Sequence, residues 1–202
     1  MPSTILFRLL AALSLAALPP ATGLAAPASD APIAERADAL EPGHFVWDAE
    51  AASTQGPVEV VISLGDQRAF VYRAGRLVGA STISSGREGY ESPIGRFQIL
   101  EKRRHHRSSR YNSAPMPFMQ RLNWYGVALH AGEVPGYPAS HGCIRLPTGF
   151  AQRLFATTDV GTFVFVTEEP FDSPEAALAL ARAHADAPMP PDRTREGMAG
   201  TR

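Results

Sequence analysis

From Pro57 onward, apolar residues gather into short β-branched runs broken by turn residues. Val58-Glu59-Val60-Val61-Ile62-Ser63-Leu64 is followed by the turn Gly65-Asp66. Ala69-Phe70-Val71-Tyr72 then leads through Ala74-Gly75 into Leu77-Val78-Gly79-Ala80-Ser81-Thr82-Ile83. Runs of this length, separated by two-residue turns, predict three consecutive antiparallel strands. Further strands are predicted over Gly95–Leu100 and Gly126–His130, with a closing strand over Gly161–Val166. Helices are few. Thr148 is placed to cap a helix over Gly149–Thr157 that turns Phe150, Leu154 and Phe155 to the core, and Ser173-Pro174-Glu175 opens an alanine-rich helix to about Ala185. The fold class is therefore mostly β with a few short helices.

Outside these runs the pattern weakens. Residues 26–56 are Ala- and Pro-rich, with one short apolar cluster at Phe45-Val46-Trp47, and read as a linker or N-terminal arm. A catalytic-size domain spans 57–168 and a C-terminal helix lies within 169–186. Residues 187–202, beginning Ala187-Pro188-Met189-Pro190-Pro191, lack apolar periodicity and read as a disordered tail. At the other end, Arg8 precedes an apolar run, Leu9 to Leu18, then Pro19-Pro20 and the small residues Gly23-Leu24-Ala25-Ala26. That order reads as a secretory signal peptide over 1–25. The run is about ten residues, well short of the roughly 20 needed to span a bilayer, and no later uncharged run is longer. No stable membrane span is expected after processing, and the chain is expected to be exported.

Composition narrows the class. The 202 residues are 45% hydrophobic and 19% charged, which suits one globular domain and not a disordered chain. Nineteen Lys+Arg against twenty Asp+Glu leave a net charge of −1, so nothing in the whole-chain charge favours nucleic acid. Cys143 is the single cysteine, which excludes an internal disulfide. An exported protein with one thiol either hides it or uses it.

The chemistry concentrates between Leu129 and Pro147, where Cys143 lies near His130 and His141 in a loop rich in Gly and Pro. A thiolate is the nucleophile, and a histidine within reach takes its proton and later returns one to a leaving amine. His130, at a strand end, is the expected base; His141, two residues from Cys143, is awkwardly placed for that role. Gly142 clears room for substrate, and the backbone N–H groups around Gly142 and Cys143 can face an oxyanion. If the chain is extended here, Arg145 falls on the side of Cys143 while Ile144 and Leu146 enter the core. Arg145 is then placed to lower the thiol pKa and to hold a substrate carboxylate.

Ser140-His141-Gly142-Cys143-Ile144-Arg145-Leu146, preceded by His130-Ala131-Gly132, resembles the signature of the L,D-transpeptidase catalytic domain, also called the YkuD domain. The resemblance extends upstream to Ser92-Pro93-Ile94-Gly95-Arg96-Phe97 and to Asn112–Met119, and covers roughly Pro57 to Thr167. It implies a β-sandwich catalytic domain of an exported cysteine acyltransferase of the bacterial cell wall. By the same resemblance, Cys143 is the nucleophile and His130 the base, oriented by the carbonyl of Ala131 or Gly132. Its substrates would be peptidoglycan stem peptides, with a stem amine, a protein N-terminus or water as acceptor. A carbapenem would be an inhibitor, and no cofactor is required. The loop from His130 to Ser140 is shorter than in many members, and Arg145 stands where some carry asparagine; both bear on substrate choice.

The same residues admit other readings. His141 either contacts substrate and positions the loop or merely satisfies loop carbonyls. Zinc is not expected, because no acidic or cysteine partner of His130, His141 and Cys143 is spaced as a finger or a metalloprotease helix requires. The basic run Lys102–Arg107 reads as a solvated strand end, or else as a dock for an anionic polymer. Tyr111, Met116, Phe118, Met119 and Trp124 divide between a lid over the thiol and plain core. Cysteine peptidases of the papain or NlpC/P60 type place cysteine before histidine, the reverse of the order here. An L,D-carboxypeptidase and a wall-binding module without activity are the remaining alternatives.

Overall fold

The three leading runs pair as their turns dictate. The structure, a computed structural model, describes residues 32–189; the signal-peptide reading and residues 190–202 of the tail lie outside the described residues. β2 (Val58–Ser63), β3 (Arg68–Arg73) and β4 (Arg76–Thr82) form an antiparallel meander. β10 (Phe163–Thr167) runs parallel to β2 on its other side and carries β5 (Gly95–Gln98) antiparallel on its own outer edge. A second sheet is ordered β6 (Glu101–Arg103), β7 (Met119–Arg121), β8 (Ala128–Ala131), β9 (Ile144–Leu146). The run predicted as one strand over Gly95–Leu100 is a strand only over Gly95–Gln98. Ile99 and Leu100 carry the chain to the second sheet, Ile99 N–H donating to Thr162 O just before β10 and Leu100 N–H to Arg121 O in β7.

One core lies between the sheets. It gathers Val60, Ile62 and Val71 from the first sheet, Leu129 and Ile144 from the second, and Phe150 and Leu154 from α3 (Thr148–Thr157). The opposite face of the first sheet is covered by α1 (Ile33–Asp38) and α4 (Pro174–Ala183), which pack Ala37, Ala177 and Leu178 against Val61, Phe70 and Tyr72. Burial on both faces explains why β2 and β3 read as continuous apolar runs instead of alternating ones. Ser173 caps α4 as expected, its side chain accepting from Ala176 N–H. Thr148 does not cap α3: it is the first helical residue, preceded by Pro147, and no side chain caps that end. None of the helices among the described residues is long and apolar enough to cross a membrane.

Of the segment read as a linker or N-terminal arm, residues 32–56 are built into the fold. β1 (Phe45–Trp47) pairs antiparallel with β4, and α2 (Ala49–Ala52) follows, capped by Asp48. Phe45 and Trp47 meet the Phe150 ring at 5.8 and 5.6 Å between centroids. Three aromatic residues distant in sequence thus close one end of the core. Phe150→Ala is expected to destabilise the protein by about 3–5 kcal/mol, because the cavity would be walled by rings that cannot collapse into it; denaturant unfolding measures this.

Candidate active site

β8 and β9 lie parallel, with Leu129 opposite Ile144, His130 opposite Arg145 and Ala131 opposite Leu146. Paired residues point to the same side and successive ones alternate. Leu129, Ala131, Ile144 and Leu146 therefore enter the core between the sheets. His130 and Arg145 share the other face, together with Ala128 and Cys143 one step back along each strand, and there Ala128 and Cys143 pack on Met116 and Met119. The expected alternation around Cys143 is what the register produces.

That face floors a cavity of about 540 Å³. One wall is a hairpin that extends β6 and β7, its arms joined by Phe118 N–H to Arg104, Met116 N–H to His106 and Ser108 N–H to Ala114, each 2.9 Å. Asn112 and Ser113, at φ 44° and 52°, make its turn. The residues weighed as a lid divide accordingly. Met116 and Met119 are buried, Phe118 packs edge-on against Phe155, and Tyr111 and Trp124 are exposed. Of the basic run, Arg103, Arg104, His105 and Arg107 are exposed; Lys102 donates to Phe155 O, Arg103 pairs with Glu101, and Arg107 donates to Ser113 O.

His130 is 8% exposed, and its Nδ1 donates to Ala131 O at 2.8 Å. Of the two carbonyls expected for this contact, Ala131 supplies it. The bond leaves the Nε2 lone pair free to accept a proton. Burial holds the imidazole below its usual pKa, the Ala131 contact opposing and the Arg145 and His106 charges adding to the shift. The His130 imidazole is thus neutral at neutral pH.

Cys143 is half-buried, and its Sγ donates to Gly126 O at 3.4 Å and not to His130. Burial pushes the thiol pKa up, outweighing an Ala128 backbone N–H and the Arg145 and Arg121 charges, which pull it down. The expectation that Arg145 sets a low thiol pKa is therefore corrected: its charge acts in that direction but desolvation wins. The two groups therefore stand as a neutral thiol and a neutral imidazole at neutral pH.

The oxyanion expectation is also narrowed. Gly142, at φ 105°, donates its N–H to Ser140 Oγ at 3.1 Å and so has none to offer. Cys143 N–H has no acceptor among the described residues. Ser140, 2% exposed, also donates its hydroxyl to Cys143 O and its backbone N–H to Ser85 O. Arg145 lays its aliphatic stem across Gly132, where an added Cβ would lie 3.1 Å from Arg145 Cγ. Its guanidinium has no hydrogen bond or ion pair among the described residues, so it is free for an anionic ligand. His141 is exposed on the rim between Tyr90 and Tyr111, with ring centroids 4.8 and 4.5 Å away. Among the described residues His130, His141 and Cys143 do not converge as a metal ligand set.

Sequence reasoning missed the scaffold under the cysteine loop. Ser84 exchanges two backbone bonds with Arg145, and its hydroxyl reaches Tyr137 O at 2.8 Å. Gln67, in the β2–β3 turn, holds Ser85 through both its backbone N–H and its hydroxyl. These are contacts to main chain from residues far off in sequence, and no local pattern encodes them.

Comparison with known proteins bears on the fold. The chain is 25% identical to an L,D-transpeptidase from Stackebrandtia nassauensis, with a TM-score of 0.51 over 56% of this chain and 57% of that one. The L,D-transpeptidase of Xylanimonas cellulosilytica is 27% identical, TM-score 0.50, over 57% and 62% of the two chains. An LD transpeptidase, LdtMt1, in complex with imipenem is 25% identical, TM-score 0.51, over 55% and 58%. The chain spans less than two thirds of the length of each of these structures. A search of curated protein sequences gives no match. The family model of the L,D-transpeptidase catalytic domain, YkuD, matches residues 57–166, more than half of the chain and all of the cavity floor. On the strength of that match and of the shared two-sheet fold, the chain belongs to the L,D-transpeptidase catalytic domain family.

Proposed function

We propose that this protein is an exported cysteine L,D-transpeptidase acting on peptidoglycan stem peptides, with Cys143 as nucleophile and His130 as base. The observation that carries the reading is the common face of β8 and β9, where a buried neutral imidazole, a thiol and an unpaired guanidinium open into one cavity. As Sγ attacks the carbonyl of the L-centre residue of a tetrapeptide stem, His130 Nε2 takes the thiol proton. The tetrahedral intermediate collapses with cleavage of the C–N bond, and His130 passes that proton to the leaving amine of the terminal D-amino acid. A thioester remains on Cys143. An acceptor amine then attacks it, losing its proton to His130, which returns it to the departing sulfur. Arg145 is suited to a substrate carboxylate through its planar fork.

A carbapenem tests this reading, since its strained carbonyl is attacked like the stem carbonyl and the chain has only one thiol to form the adduct. Intact-mass spectrometry should show one stoichiometric addition that is lost in Cys143→Ala. No addition of any of several carbapenems, together with no crosslinking of purified muropeptides, sinks the proposal. Release of the terminal D-amino acid without crosslinking would instead make the enzyme a carboxypeptidase with water as acceptor.

A further inference from the structure

Ser92 opens the Ser-Pro-x-Gly-x-Phe element, and the chemistry above leaves it without a task. It is 5% exposed, and its hydroxyl is used twice. It accepts the Gly86 N–H at 2.9 Å and donates to Gly142 O, also at 2.9 Å. The second bond reaches from the 84–92 loop to the residue just before the nucleophile.

The direction of that bond matters because a trans peptide is planar, with C=O and N–H pointing opposite ways. The Gly142–Cys143 peptide is trans, so a carbonyl held toward Ser92 turns the Cys143 N–H away from it. Cys143 lines the cavity and Ser92 does not. The neighbouring groups are already spoken for, since Ser140 Oγ binds both Gly142 N–H and Cys143 O. Gly142 is the residue least able to hold the peptide plane by itself, because glycine has no side chain to restrict its backbone. We infer that Ser92 is a positioning residue: through Gly142 O it aims the Cys143 N–H at the site where the substrate carbonyl oxygen becomes negative. The inference rests on the acyl-transfer reading and adds to it the residue that orients its oxyanion donor.

Two reactions of the same sulfur separate this role from simple support of the loop. Acylation by imipenem develops an oxyanion, whereas alkylation by iodoacetamide displaces iodide and develops none. Both rates are measured on the full chain for wild type, Ser92→Ala and the isosteric pair Ser92→Thr and Ser92→Val, beside thermal unfolding. Loss of a whole oxyanion donor slows acyl transfer by about 10²–10³-fold, so a misaimed donor should slow acylation roughly 10- to 100-fold in the Ala and Val variants. Alkylation should stay within about twofold of wild type in both, and Ser92→Thr, which keeps the hydroxyl, should acylate at close to the wild-type rate. Acylation and alkylation slowed by the same factor, acylation unchanged without the hydroxyl, or failure of both hydroxyl-free variants to fold overturns the inference alone. A wild-type chain that alkylates at Cys143 but takes up no imipenem overturns the acyl-transfer reading, and the inference with it.

Discussion

Replacing Cys143 by Ser or Ala should lower stem-peptide turnover by at least roughly 10³-fold, with the fold intact by circular dichroism. The serine variant is the more telling of the two. Its hydroxyl would occupy the same half-buried position beside Ala128, but a hydroxyl there is a far weaker nucleophile than a thiol and no charged group is bonded to it. His130 can take a proton only as far as its own basicity allows, and burial has already lowered that basicity. Crosslinking assays with purified muropeptides measure the loss. Retention of substantial turnover in Cys143→Ala would show that another group carries the acyl chain.

His130→Ala should slow acylation by about 10²–10⁴-fold, the usual contribution of a positioned base. His141→Ala should cost less than about tenfold, because its ring stands on the rim between two tyrosines and moves no proton. The pH profile gives a second check. A histidine whose folded pKa is lowered stays neutral to lower pH, so the acid limb of the acylation rate should lie below the ordinary imidazole value of 6.5. The raised thiol pKa means that iodoacetamide alkylation should keep climbing with pH above neutrality, without an early plateau. Equal losses in the two histidine variants, or an acid limb above pH 6.5, would reassign the base.

The placing of Cys143 and Arg145 on one face was legible because the alternation is a local signal, and so was the β2–β4 meander, whose apolar runs and turns are contiguous. β6 and β7 were not. Glu101-Lys102-Arg103 and Met119-Gln120-Arg121 carry too little apolar alternation to announce strands, and they exist because each finds a partner across the hairpin. β1 was visible only as the apolar cluster Phe45-Val46-Trp47; its role came from β4 and Phe150, both distant in sequence. The thiol's acceptor, Gly126 O, was unreadable for the same reason. Main-chain atoms carry no residue-type signature, so a site made partly of carbonyls and amides is only partly written in side chains.

β10 is the last strand of the chain, yet it sits inside the first sheet, between β2 and β5. Residues 163–167 must therefore arrive before Glu59 and Val60 find their parallel partners, Phe163 and Val164, and before β5 joins the sheet at all. Contacts between such distant segments carry a large loop-closure entropy and make folding slow. A chain emerging N-terminus first would hold every strand of the second sheet, β6 to β9, while β10 was still missing from the first. The sheet next to Cys143 therefore has no need to wait for the chain's end, whereas the first sheet stays in two pieces, β1 to β4 and β5, until residues 163–167 join them.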